Sequence, residues 1–231
     1  MAYFEWNGTR STAYGIKVLT QPQRTRPLER LTYTTVPGRN GALVTTEGED
    51  VYDDILLTVE CWITDTNRIT EICAWLKGSG TLTISNRPNG FYYARVNNQI
   101  SFEKLLSVNE HRRFSIIFRC KPFWYASGTQ DITITESTSS VTNPGTVFSE
   151  PLITVYGSGE ITLMVGQYIT ELSDVDESIT LDSELQEAYK GSETKNNCMS
   201  GDFPIFQPGV NAISWSGNVT SVVITPRWRY L

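Results

Sequence analysis

The sequence predicts a mainly β protein in two domains. Residues 1–130 form a β-rich front domain with one short α-helix, and residues 131–231 form an all-β sandwich. Three observations predict this. Short runs rich in Val, Ile, Thr, Tyr, Phe and Trp are bounded by turn residues about every 8–12 positions, as in sandwiches and barrels. Only one stretch, Ile69-Ile72-Cys73-Leu76, repeats its apolar residues with helical spacing. Finally, composition changes at 126–150, where Ser and Thr dominate and Lys and Arg are absent, which marks a connector. The 231 residues suit one large domain or two small ones.

In chain order, "VPGRNGALVTTEGED" (36–50) reads as a loop and hairpin arm with Gly48 at its turn. "DDILLTVECWI" (53–63) reads as a well-buried strand. Thr64, Asp65, Thr66 and Asn67 supply helix-start residues, and Gly78 supplies a C-cap, for a helix of about three turns. "TLTIS" and "FYYARV" flank "NRPNG", a hairpin signal centred on Asn89-Gly90. In "RRFSIIFRC" (112–120), Phe114, Ile116, Phe118 and Cys120 share one face, and Pro122 ends the strand. The predicted core includes Trp75, Leu76, Phe118 and Trp228. In the back half, "PLITVYG" and "EITLMVG" suggest a hairpin across Ser158-Gly159. "SITLD" (178–182) suggests a strand, and "SELQEAYKG" a helical turn or a loop. "NAISWSG" and "NVTSVVITPRWRYL" suggest a second hairpin around Gly217-Asn218. Period two in the last segment turns Trp228 inward and leaves Arg227 and Arg229 exposed as a candidate interface.

Charge is uneven. Residues 1–125 hold 15 Lys and Arg against 12 Asp and Glu, whereas residues 126–231 hold 4 against 13. An acidic back half repels nucleic acid, and the mild surplus in front falls short of a dedicated nucleic-acid footprint. The start, "MAYFEWNGTRS", lacks a basic segment followed by an apolar one, and no run of about 18 apolar residues occurs. Synthesis in a reducing cytosol and no membrane insertion are therefore expected. The four cysteines (Cys61, Cys73, Cys120, Cys198) are widely spaced, and His111 is the only histidine, so buried free thiols are expected and a zinc site is not.

No catalytic set emerges. His111 sits between Glu110 and two arginines, with no nucleophile elbow anywhere in the chain. "DVDESITLDSE" (174–184) is dense in carboxylates, but Ile179 and Leu185 stand where a calcium loop needs Gly and Glu. The glycines of 36–50 lack the lysine of a phosphate loop. No enzyme activity, cofactor or metal is expected. The two readings left are a scaffold and a stand-alone carbohydrate-binding module, and the second needs an exposed tryptophan beside polar groups. Trp215 is the residue to inspect.

Several stretches taken together resemble the distal tail (Dit) proteins of long-tailed, siphovirus-type bacteriophages and prophages. In front these are "VPGRNG" (36–41), "WLKGSGTL" (75–82), "FYYARV" (91–96) and "FSIIFRCKPFWY" (114–125). Behind them come "NPGTVFSEPLITVYGSGEITLMV" (143–165), "ITLDSELQEAYKG" (179–191), "GDFPIFQPGVNAISWSG" (201–217) and "ITPRWR" (224–229). Each is a turn or strand and weak alone, but their order spans nearly the whole chain. The resemblance implies a virion protein of the tail tip, made in the bacterial host. Its front domain would build a homo-hexameric ring around a channel for DNA in transit, and its back domain would be a galectin-like sandwich. It implies partners on both ring faces: the tail tube protein on one, and a hub, fibre or receptor-binding protein on the other. Longer relatives insert a carbohydrate-binding module, for which 231 residues leave little room. Arg39, Asn40, Glu47, Glu49 and Asp50 in the arm, taken as 37–54, are the candidate contacts to a neighbouring subunit.

Overall fold

The computed structural model describes residues 2–48, 50–104 and 111–231. It is 56% strand and 8% helical. The chain divides into two units, Met1–Ser127 with Leu231 and Gly128–Tyr230. The switch to a Lys- and Arg-free composition therefore coincides with the change of unit.

The first unit contains β1 (Phe4–Trp6), β2 (Thr9–Arg10), β3 (Lys17–Thr20), β4 (Leu31–Thr35), β5 (Ala42–Thr46) and β6 (Ile55–Ile63). Beyond the helix α1 (Ile69–Trp75) come β7 (Ser79–Ile84), β8 (Arg87–Val96), β9 (Glu103–Lys104), β10 (Arg112–Cys120) and β11 (Trp124–Ala126). The main sheet is antiparallel in the order β2-β1-β7-β8-β10-β6-β3, with β9 on β10 and β11 on β8. Alternation decides its inner face. On β6 Ile55, Leu57, Val59, Cys61 and Ile63 are buried, and on β10 so are Phe114, Ile116, Phe118 and Cys120. Strand β6 is buried on one side only, because Leu56, Thr58, Glu60 and Trp62 alternate with the buried set. At the middle of the core Phe118 packs edge-on to Phe4 at 5.6 Å and against Trp6 at 5.3 Å.

The helix begins as expected. Asp65 accepts a hydrogen bond from the Asn67 N–H (3.0 Å) at a 3₁₀ turn, Thr66–Arg68, that leads into α1. The α-helical part has only two turns. It buries Ile72 and the following Leu76, but Cys73 is exposed. Trp75 is half-buried. It stacks on Phe4 (5.5 Å) and Tyr14 (4.4 Å), and its indole donates to the Trp6 carbonyl.

The β7–β8 turn differs from the sequence expectation. Ile84 pairs with Arg87, so Ser85-Asn86 make the turn and Asn89-Gly90 lie inside β8. The glycine is there for another reason: a side chain at Gly90 would collide with the Trp124 ring and the Tyr125 carbonyl, where β11 pairs antiparallel with β8.

The second unit is organised by two long strands, β14 (Leu152–Val165) and β20 (Gly209–Thr225). Around them are β12 (Ile132–Ile134), β13 (Thr138–Asn143), β15 (Tyr168–Val175), β16 (Ser178–Asp182), β17 (Glu187–Lys190), β18 (Glu193–Thr194) and β19 (Met199–Gly201), and a two-residue strand β21 (Arg229–Tyr230) outside their sheet follows at the chain's end. The predicted connector thus supplies two strands, and "SELQEAYKG" ends in a strand. Most of this unit was expected as hairpins, yet β14 and β20 are each continuous and pair antiparallel from Leu152↔Thr225 to Val165↔Ile213. The two predicted hairpin tips face one another in that ladder: Ser158 pairs with Asn218, and the register slips on both sides of them. Here the glycines permit bulges that bend a two-stranded ribbon, rather than reversing the chain. Gly217 has φ +98°, and a side chain there would strike the Glu160 carbonyl oxygen. One half of the ribbon carries β12 and β16, and the other carries β13 and β15. The result is an all-β unit, as the sequence predicts. Its core includes Ile153, Val155, Leu163, Ile213, Val222 and Ile224, each at most 1% exposed.

If Gly217 serves the bend, Gly217→Ala combines left-handed strain with a backbone collision and destabilises the protein by about 1–3 kcal/mol. Gly166→Ala is the control, since Gly166 has φ +56° and nothing within 4 Å. Thermal melts should show a clearly lower Tm for Gly217→Ala than for Gly166→Ala, and equal values would remove the bulge from its organising role.

Candidate interaction surfaces

The clearest candidate is the hairpin β4–β5, a two-stranded sheet of its own. Its five pairs run from Leu31↔Thr46 to Thr35↔Ala42, around a turn at 36–41 that contains Pro37, Gly38, Arg39 and Asn40. The tip thus lies at 36–41 rather than at Gly48, and the arm starts before residue 37. Alternation puts Leu31, Tyr33, Val44 and Ala42 on one face. Tyr33 is 66% and Val44 48% exposed, although they are direct cross-strand partners. Sequence reading missed β4. The alternating run Leu31-Thr-Tyr-Thr-Thr before Pro37-Gly38 was the available signal.

The arm's base is tied down. Arg30 and Asp53 donate backbone N–H groups to Val51 and Leu28 respectively, and Glu47 donates to Arg30. The Arg30 guanidinium contacts Asp53 at 3.1 Å and Glu47 at 3.8 Å. Asp50 accepts from the Tyr52 hydroxyl, and burial followed by this carboxylate raises the phenol's pKa. Of the candidate contacts, Arg39 and Asn40 are therefore at the exposed tip, and Glu47 and Asp50 are at the base. Glu49 lies outside the described residues.

On the outer side of the main sheet Leu56 and Thr58 of β6, Arg95 of β8 and Arg119 of β10 are exposed. Arg119 pairs across the ladder with Leu56 on one side and Arg95 on the other. Arg119 bonds Asp54 at 2.7 Å. At the sheet's end His111 meets the Trp62 ring edge-on at 4.3 Å, and Lys17 lies over the same ring at 4.8 Å.

The C-terminal arginines are not where alternation puts them. β20 ends at Thr225, and Arg227 takes φ +50°, a left-handed backbone that breaks period two. Trp228 and Arg229 are consequently both buried. Trp228 lies 5.9 Å from the Phe206 ring. Arg229 donates to the Phe148 carbonyl (2.9 Å) and to Glu150 (2.8 Å). Arg227 makes a two-pronged contact with Asp182, at 2.7 and 2.9 Å. Arg229 is thus buried where period two expects it exposed, and Arg227 is half-buried. Burial alone would raise the pKa of Asp182. Arg227 and the N–H groups of Leu185 and Glu184 outweigh it and hold the carboxyl below its ordinary value.

The carboxylates of 174–184 are spread out. Lys190 bridges Asp176 and Glu177 at 3.1 and 3.2 Å, beside a cavity of about 580 Å³ that Asp174, Glu193 and Lys195 also line. Among the described residues no group of three His, Cys, Asp or Glu is arranged to hold a metal. The thiols divide: Cys61 and Cys120 are buried, and burial pushes both up to about 12, while Cys73 is exposed and Cys198 half-buried. Both tryptophans of the second unit are buried, Trp215 at 9% exposure and Trp228 at 6%. Neither offers an open ring to a sugar. No described helix is long and apolar enough to cross a membrane.

No protein-family model matches the sequence, and no curated protein matches it. A search of solved structures finds the crystal structure of SPP1 Dit (gp 19.1), described as a paradigm of the hub adsorption apparatus in phages that infect Gram-positive hosts. The match has a TM-score of 0.80 and covers 100% of both chains at 15% sequence identity. The chain has the fold of a phage distal tail protein. The distal-tail fold accounts for both units at once, since no part of either chain lies outside the match.

The Asp182–Arg227 contact makes stability depend on pH. A carboxyl whose pKa is lower in the folded state stabilises fully above its unfolded value, about 3.9 for Asp. That contribution disappears as pH falls through the lower folded value. Asp182→Asn should therefore cost about 2 kcal/mol at neutral pH. The gap to wild type should close as pH drops below about 4. Melting curves from pH 7 to pH 2 check this, and a gap that persists undiminished at pH 2 would contradict it.

Proposed function

We propose that this protein is a structural, non-enzymatic component of a phage tail tip. In this reading its first unit assembles into a homo-hexameric ring around a channel for DNA. The ring joins the tail tube to the hub or fibre, and the second unit carries adaptor or receptor-binding proteins. The full-length likeness to SPP1 Dit carries the reading. Two features support it. The arm presents the apolar pair Tyr33–Val44 to water on a ribbon without a core, and two-stranded hairpins are at best marginally stable alone. The pair and the tip residues Arg39 and Asn40 are what a neighbouring copy would meet. A ring also requires each copy to present two different surfaces, one given and one received.

Two experiments test this. Antibody raised against the chain should label the tail end of virions in electron micrographs, and label on heads or along shafts would contradict the assignment. Native mass spectrometry at high protein concentration should show six copies. Tyr33→Asp combined with Val44→Asp should leave a monomer whose Tm stays within about 2 °C of wild type, because exposed sites contribute little to stability. Unchanged assembly in that variant would take the arm out of the interface.

A further inference from the structure

Strand β13 is an edge of its sheet, since β20 is its one ladder partner. The direction of its remaining backbone groups follows from the ladder beside it. The Gly166 N–H donates to the Ala212 carbonyl, so Ala212 turns its main-chain groups toward β14. In an antiparallel ladder the N–H and carbonyl of one residue point to the same side. Ser140, the partner of Ala212, therefore turns both groups away from β20. Thr138 and Thr142, two residues to either side, do the same. The edge thus carries N–H and carbonyl groups in a row that repeats about every 7 Å. Among the described residues nothing hydrogen-bonds to this row. Thr138, Ser140 and Thr142 are also exposed.

Natural sheets guard such edges with charge, proline, bulges or brevity. Outside the arm, the other edges follow that rule. β3 carries Lys17, and its ladder slips register between Val18 and Thr20. β2, β9 and β18 have two residues each, and β12 and β19 have three. β13 has six residues, Thr-Ser-Ser-Val-Thr-Asn, with no charge, proline or glycine and an unbroken register along β20. The adjoining face is uncharged as well. Ala212 lies beside Ser140, and Val210, 74% exposed, lies beside Thr142. Further in come Met164 and its partner Ile169, which is 50% exposed. This surface is set in a half of the chain that holds 13 carboxylates against 4 Lys and Arg.

A row of main-chain groups at strand spacing is matched by another extended main chain, and strand addition to an exposed edge is a recurring mode of recognition. A second copy is a poor occupant, because it brings its own excess of carboxylates. A segment that is uncharged where it pairs, with Lys or Arg at the end next to the exposed Glu136, fits both the row and the charge around it.

We infer that β13 accepts an extended strand of the adaptor or receptor-binding protein that the second unit carries, bonded through the N–H and carbonyl groups of Thr138, Ser140 and Thr142. This rests on the tail-tip reading and names the surface and the mode of contact.

Hydrogen exchange resolved by residue, on the isolated full-length chain and on purified virion tails, tests it. In the isolated chain the amides of Thr138, Ser140 and Thr142 should exchange about a hundredfold faster than those of Ser139 and Val141, which face β20. In tails all of them should be slow. Fast exchange at the three edge positions in tails would overturn the inference. So would protection in assemblies of the purified chain alone, because the occupant would then be a second copy. A chain absent from virion tails would instead overturn the tail-tip reading. Two variants separate backbone from side chain. Ser140→Pro removes an edge N–H at a position where proline is tolerated, and Ser140→Ala removes only the hydroxyl. Quantitative mass spectrometry of tails should show one tail protein reduced about tenfold with Ser140→Pro and retained with Ser140→Ala. A full complement with Ser140→Pro, or equal loss with both variants, would overturn the strand addition.

Discussion

The hairpin from Leu31 to Thr46 has water on both faces, and a ribbon of five pairs cannot supply its own core. An isolated two-stranded hairpin is marginal because the entropy of ordering each residue, about 1–2 kcal/mol, outweighs what one ladder and one shallow face return. This one is anchored at its base by Arg30, Glu47 and Asp53 but has no covering layer. The remainder of the first unit is built without that deficit. Its sheet closes over Phe4, Trp6, Phe118 and Ile72, all fully buried. The unit can thus fold around its own core and still hold out a ribbon that no other layer covers.

The second unit solves a different problem. A long ribbon must bend to become both layers of a sandwich, and continuous pairing resists bending. β14 and β20 meet this by slipping register at the same level, where Gly157, Ser158 and Gly159 face Gly217, Asn218 and Val219. The chain's last segment is then tied in by Arg227 on Asp182 and Arg229 on Glu150. An acidic unit with 13 carboxylates against 4 Lys and Arg places half of its scarce positive charge in these two contacts.

Much of this was legible in the sequence, and the failures have physical causes. Alternation identified the inner face of β10 correctly, and the Asp65 start with Ile72 and Leu76 identified the helix. Turn chemistry misled, because glycine serves bulges and close approaches as well as turns. Asn89-Gly90 lies inside a strand because Trp124 needs the room, and the Ser158-Gly159 and Gly217-Asn218 pairs bend a ribbon. Period two failed at Arg227, where a left-handed residue placed Arg229 inside with Trp228. Cys73 belongs to the helical apolar pattern but is exposed, because α1 turns only its Ile72 side into the core. A hairpin arm was legible from its turn residues, although its turn lies at 36–41 and not at Gly48, and the Arg95–Arg119 juxtaposition depends on register, which local sequence does not carry.

Hydrogen exchange of the arm's backbone amides, followed in dilute and in concentrated protein, tests the central claim most directly. The amides of Leu31–Thr35 and Ala42–Thr46 should exchange fast in the monomer and slow on assembly, while those of the β14–β20 ladder stay protected in both. Arm amides that are equally protected in the monomer, or equally unprotected in the assembly, would contradict the account.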